Sequence, residues 1–414
     1  MNSQNNENLN KSKKLVETPL SSTIPGPEEP KKHKKKIIIL LIVLLITVVF
    51  VVTAVYVISN IIDKQNDTAG NKNEEVKEEV PENTNTKIVF GNEITVNGPG
   101  ATVEGSNITI TSAGIYEVSG DTTDSNITIN APSKEVTLIL EGTKIKCTNG
   151  PAIKVLDASL LTITLKDGTV NYLEDGGTLE NAAVIFSNAS LIINGTGSLE
   201  VTGSVKKGIF VENKDITINS GKIKIKSLED GINAGGIITI NSGTIYINAS
   251  ICGLNAVKSI IVNNGQIYVI GGSSAINAGI NSEGIYQING GSVVELASNI
   301  TILPHEDSKQ KTMLFNLNAP ISNDDIYTLT DDQGKEVISF AVKKDIKTIT
   351  ISAPNLINAK YNLYSGVKPV SVTEYGIYPN GEITLGTKIT IDNNSDFNIT
   401  MTNNWFGSSS NNKK

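Results

Sequence analysis

Between Ile209 and Ala278 the chain repeats itself with a constant step of 22 residues, and few folds can accommodate that. Ile216, Ile238 and Ile260 fall in one column, as do Ile218, Ile240 and Val262, then Ile223, Ile245 and Ile267, and Ile225, Ile247 and Val269. Asn219, Asn241 and Asn263 follow, each two residues before Gly221, Gly243 or Gly265, so every repeat turns at the same Asn-x-Gly. A third segment places Ile232, Leu254 and Ile276 in one column, each followed by Asn and then Ala.

A fixed period of this size means stacked supersecondary units. Within each unit the apolar residues alternate with polar ones in short β-branched runs such as Ile245-Tyr246-Ile247, and Gly and Asn separate the runs. Nothing between them has the length or periodicity of a helix, which excludes leucine-rich and ankyrin-type repeats. The reading is an all-β, right-handed parallel β-helix with about 22 residues per rung. Identical side chains then stack about 4.8 Å apart, with Ile columns inside and Asn amide ladders at the bends. Cys147 and Cys252 lie several rungs apart and are expected as buried free thiols.

The rest of the chain is less regular. Residues 1–36 are polar and end in Lys31-Lys32-His33-Lys34-Lys35-Lys36, and read as a disordered basic tail on the cytoplasmic side. The uncharged run from Ile37 to Ser59 would span about 33 Å as a helix, enough for a single uncleaved transmembrane anchor. Residues 60–87 read as a polar linker and residues 88–305 as the extracellular β-helix. Residues 306–407 form a β-rich cap or a continuation of the coil, and 408–414 a disordered tail. Ile153 and Val184 are placed in one column, 31 residues apart, so about nine residues loop out near Leu173 to Asn181, where a solenoid often binds its ligand.

Charge and residue type exclude several functions. The eight Lys and four Glu before residue 37 give +4, which leaves −11 beyond it out of a total of −7. An acidic exterior does not suit nucleic acid. The sequence contains no Arg, and beyond the anchor His305 is the only His. The constellations of Arg, His and clustered Asp with which β-helix lyases and hydrolases cleave pectin therefore cannot be assembled. An enzyme using a Lys base or a carboxylate pair stays open, as does a cell-surface adhesin or structural stalk.

The run Lys207-Gly208-Ile209-Phe210-Val211-Glu212-Asn213, then Ile216-Thr217-Ile218-Asn219-Ser220-Gly221, then Glu229-Asp230-Gly231-Ile232-Asn233-Ala234 resembles the bacterial carbohydrate-binding β-helix family. Ile351 to Leu356 and Tyr361 to Tyr364 resemble its C-terminal segment more weakly. The resemblance implies binding of cellulose or acidic polysaccharides such as polygalacturonate, without catalysis and with calcium. It also implies Ca2+ ligands at the Asp-Gly turns and just after the following Ile: Glu174 and Asp175, Glu229 and Asp230, Asp157 and Glu212. Turn chemistry alone would also explain these Asp-Gly pairs. Later rungs, such as Ser250-Ile251-Cys252-Gly253, have no carboxylate.

For sugar contact the outward positions matter. Tyr246 and Tyr268 point out of successive rungs, so their rings should stack about 5 Å apart. Lys222, Lys224 and Lys226 line the outer face of the preceding rung. Together they suggest a flat strip for an anionic chain, although such residues also serve simply to keep a strand soluble.

Overall fold

The computed structural model describes residues 85–402 except 178–182, 273–277, 299–300, 322–324, 358–359, 370–372, 379–380, 382 and 390–396. The expected tail, membrane anchor, most of the linker and the C-terminal tail lie outside the described residues. Among those described, all regular structure is β, and no helix is long and apolar enough to cross a membrane.

The chain is a β-solenoid with three faces. In the regular region the first face holds Ile216–Ile218, Ile237–Ile240 and Ser259–Val262, and the second Lys222–Ser227, Thr244–Ala249 and Gln266–Ile270. The third face holds Ile232–Ala234, Leu254–Ala256 and Ile280–Ser282. Strands pair in parallel with equivalents one rung on, Ile216 with Ile238 and Ile260, and Ile223 with Ile245 and Ile267. Every one of these Ile side chains is fully buried, so the 22-residue period is a set of interior columns. In the early rungs one strand runs through the corner between the first two faces, as in Gly114–Thr123 and Glu135–Lys146.

The bends are held by side-chain amides. Asn219, Asn241, Asn263 and Asn289 each donate Nδ2 to Oδ1 of the Asn one rung earlier, over 2.7–2.9 Å. The glycine of the Asp-Gly turn has a packing reason. A Cβ at Gly253 would lie 2.0 Å from Cγ1 of Val269, because an interior column of the second face fills that space. Cys147 and Cys252 are buried and unbonded.

Two register expectations are corrected. Ile153 pairs with Ile185, not Val184, so the step there is 32 residues; Val184 and Ile185 are both fully buried, and adjacent apolar residues do not reveal which one is in register. Leu254 pairs with Ile280 rather than Ile276. The chain offers Ile-Asn twice, and a four-residue insertion in the turn makes the second one the rung, so Gly265 is followed by its equivalent at Gly291.

Antiparallel strands end the coil. At the N-terminal end Thr95–Asn97 pairs antiparallel with Thr86–Phe90, and Ala101–Glu104 with Asn107–Ile110. At the other end the last second-face strand, Ser292–Ala297, pairs antiparallel with Ile346–Ser352, which pairs with Thr312–Ile321. A five-stranded sheet that includes Asp325–Asp331 and Glu336–Val342 completes this C-terminal region. Its apolar side chains form a second core with Tyr246, Tyr268, Ile270, Val294 and Leu296 from the outside of the solenoid.

In the last rung the interior column Ile225, Ile247, Val269 continues into Glu295, whose carboxyl is buried. Its Oε1 accepts hydrogen bonds from the Ile280 amide at 2.8 Å and from the Thr301 hydroxyl. Desolvation pushes its pKa up to about 7 despite those donors. Between the ordinary value of 4.5 and about 7 the folded chain keeps a proton that the unfolded chain has lost. Stability therefore falls across that window as pH rises, by about 3 kcal/mol once the group is ionised in both states. Glu295→Gln keeps an oxygen acceptor and cannot titrate, so its denaturant midpoint should depend less on pH across this window than that of the native chain; equal slopes would refute the assignment. Gly253→Ala should cost about 1–3 kcal/mol in the same measurement, because the added methyl overpacks Val269.

Candidate functional site

The outer surface of the second face obeys the same register as the core. Asp121, Lys144, Tyr172, Glu200, Lys224, Tyr246, Tyr268 and Val294 pair successively into one outward column. A second column runs through Lys146, Glu174, Thr202, Lys226 and Asn248. These columns make the face a lattice of side chains, and its two halves differ in what covers them.

The half toward the C-terminus is covered. Tyr246 and Tyr268 stack with ring centroids 5.3 Å apart and planes 9° from parallel. They are 4% and 0% exposed. The Tyr268 hydroxyl donates to the Ala341 carbonyl, and Gly376 lies so close to the ring that a Cβ there would be 2.5 Å from it. Burial pushes the Tyr268 phenol well above its ordinary range. The expected aromatic strip is thus corrected: the rings point out of the solenoid, but the C-terminal region uses them as its apolar footing. Lys224 lies at the border, 2.8 Å from Glu374 and 4.0 Å from Glu200. Burial works against its charge, yet these carboxylates more than offset it and hold the ammonium above the usual lysine range. Lys222 and Lys226 remain exposed.

The carboxylates expected to bind calcium do not converge. Asp230 accepts from the Cys252 amide at 3.1 Å and from the Nδ2 groups of Asn233 and Asn255 at 2.6 and 3.1 Å. Oδ1 of Asp175 accepts from the amides of Ser204 and Val205, and desolvation raises its pKa; Oδ2 is buried without a hydrogen bond. Glu174 pairs with Lys146 at 3.1 Å, and Glu229 with Lys207 at 3.1 Å and Lys206 at 3.9 Å. Asp157 and Glu212 are exposed. Among the described residues no group of three or more His, Cys, Asp or Glu side chains could hold a metal ion. Calcium needs six to eight oxygens, and one unpartnered oxygen at Asp175 does not supply them. These residues do not fit the ion.

The other half of the face is open. Its floor carries Lys144, Lys146, Tyr172, Glu174, Glu200 and Thr202. The loop Gly91–Ile94, the hairpin tip at Val103, Gly105 and Ser106, and the segment Asp121–Ser125 rise beside it, enclosing a cleft of about 1420 Å³. Tyr172 is 43% exposed, an aromatic ring presented at the floor of a long open groove. Sequence reasoning overlooked it because the longer step of 32 residues hides its column. The alternating run Val170-Asn171-Tyr172-Leu173-Glu174, with Leu173 buried, carried the signal. The cleft borders the predicted looped-out segment, whose residues 178–182 lie outside the described part.

A family model described as "Carbohydrate-binding domain-containing protein" matches residues 104–349. A protein of Acetivibrio thermocellus with the same description is 32% identical over 154 residues, 34% of this chain and 54% of that protein. The match thus spans about half the length of that relative. A solved structure, described as the polysaccharide lyase-like protein from C. thermocellum in a gadolinium derivative, has a TM-score of 0.40 and 26% identity, covering 53% of this chain and 96% of that chain.

The two kinds of tyrosine should separate on mutation. Tyr268→Ala empties part of the second core and should cost about 3–5 kcal/mol. Tyr172→Ala removes a half-exposed ring and should change stability by about 0.5 kcal/mol or less. Thermal melts of both variants check this, and equal losses would contradict the contrast between a covered and an open half.

Proposed function

The chain belongs to the carbohydrate-binding domain family, whose model matches residues 104–349, and from that premise we propose that it holds a polysaccharide in the open cleft of its second face without cleaving it. The observation that carries this is the exposed ring of Tyr172 on the floor of a groove lined by polar and charged side chains. An extended sugar chain has alternating apolar ring faces and hydroxyl edges. Tyr172 offers a stacking surface for the first, and Lys146, Glu174 and Thr202 offer donors and acceptors for the second.

Binding without cleavage is supported by what lines the cleft. The chain has no Arg, and His305 is not among the lining residues. Calcium plays no part in this reading, because the acidic side chains at the turns are committed to N–H donors and lysines. The uncharged run from Ile37 to Ser59 behind five lysines supports a single-pass anchor that holds the β-solenoid outside the cell.

The full chain, solubilised in detergent, should be retained on cellulose or on polygalacturonate and should remain bound in the presence of a chelator. Tyr172→Ala should weaken retention by about three- to tenfold, the value of one aromatic contact. Loss on chelation would restore a calcium site. Unsaturated ends or falling viscosity in a polysaccharide digest would make the protein a lyase, and a glycan array without hits would favour an adhesin or stalk with a protein partner.

A further inference from the structure

The charges in the cleft select among polysaccharides. Five carboxylates line it, those of Glu93, Asp121, Asp124, Glu174 and Glu200. Against them stand two ammonium groups, Lys144 and Lys146. Both cations have acids at hand: Lys146 is 3.1 Å from Glu174, and Lys144 sits in register beside Asp121 on the next strand. Lys224, the next cation along the column, is drawn away from the cleft by Glu374 at 2.8 Å, with Glu200 farther off at 4.0 Å. The groove is therefore left with a formal charge of −3.

A polyanion entering it would meet that surplus, and the lysines it needs would first have to leave their own partners. An uncharged chain would gain nothing from the carboxylates. A chain carrying protonated amines gains at both ends of the floor. Asp121 and Glu200 are three strand steps apart, about 14 Å along the axis, with Lys144 and Tyr172 between them. One ligand can then stack a sugar ring on Tyr172 while amines on separate sugars reach the two carboxylates, and an ammonium within about 6 Å of the Tyr172 ring face adds a cation–π contact.

We propose that the cleft is selective for polysaccharides bearing free amino groups, of the glucosamine type, over neutral and acidic ones. This rests on the cleft being the glycan site, as argued above, and it replaces the pectate-like ligand that the lysine strip suggested.

The test titrates the full chain in detergent with oligomers of equal length made of glucosamine, glucose or galacturonate, in mildly acidic low-salt buffer. The glucosamine oligomer should bind at least about tenfold more tightly than the glucose oligomer, and the galacturonate oligomer most weakly. The advantage should shrink to about twofold or less at 1 M salt, where screening acts over about 3 Å. The double variant Asp121→Asn with Glu200→Gln, checked for unchanged circular dichroism, should lose at least about fivefold in glucosamine-oligomer affinity and flatten its salt dependence. If glucose or galacturonate oligomers bind as tightly as glucosamine oligomers, or if the double variant keeps the native salt dependence, the selectivity is refuted while the cleft remains a glycan site. If no oligomer binds, the assignment of the cleft to glycan falls as well.

Discussion

Everything in this molecule follows from parallel strands that pair with their own equivalents one rung away. The hydrogen-bond ladder places each residue on the one 22 positions earlier, so an interior position must be apolar in every rung to be apolar in any. Burying each such Ile contributes about 1.5–3 kcal/mol, and the columns through Ile216 and Ile223 are fully buried throughout. The same registry aligns Asn219, Asn241 and Asn263 into a ladder in which each amide satisfies the next. It also explains why the turn glycine recurs: the interior side chain of the second face occupies the place of a Cβ in each rung.

Registry gives the outside of the solenoid the same order as the inside. Tyr172 and Tyr268 belong to one outward column, yet one presents its ring to a cleft and the other is fully buried. The difference lies in what packs on the lattice. The C-terminal region covers the column from Tyr246 onward, and the contact between Lys224 and Glu374 marks its edge. The cleft is the part of the face that this region leaves open, walled at its other end by the loops that close the first rungs.

The coil ends where its rules change. The step lengthens from 22 to 26 residues, the interior column takes up Glu295, and Gly279 makes room for that side chain, since a Cβ there would be 2.3 Å from its Cγ. The next strand on that sheet, Ile346–Ser352, runs antiparallel. A carboxyl group is thereby placed inside an aliphatic stack at the junction between solenoid and C-terminal region, with the unusual proton affinity that burial gives it.

The sequence by itself determined the solenoid, its period, its interior columns and its Asn ladders, because these are local patterns that recur at a fixed distance. It also determined that Tyr246 and Tyr268 face outward and stack, since alternation along a strand decides sidedness. It misplaced Ile276 and Val184, where an insertion or two adjacent apolar residues make the register ambiguous without the partner strand. Only the tertiary structure decided which outward residues meet solvent. That depends on chain more than 70 residues away folding back over Tyr268, as Ala341 does. It likewise decided that Asp175 and Asp230 serve amides instead of a cation. Whether a carboxylate meets an N–H or a metal depends on which backbone the neighbouring turns bring to it, and no periodicity encodes that.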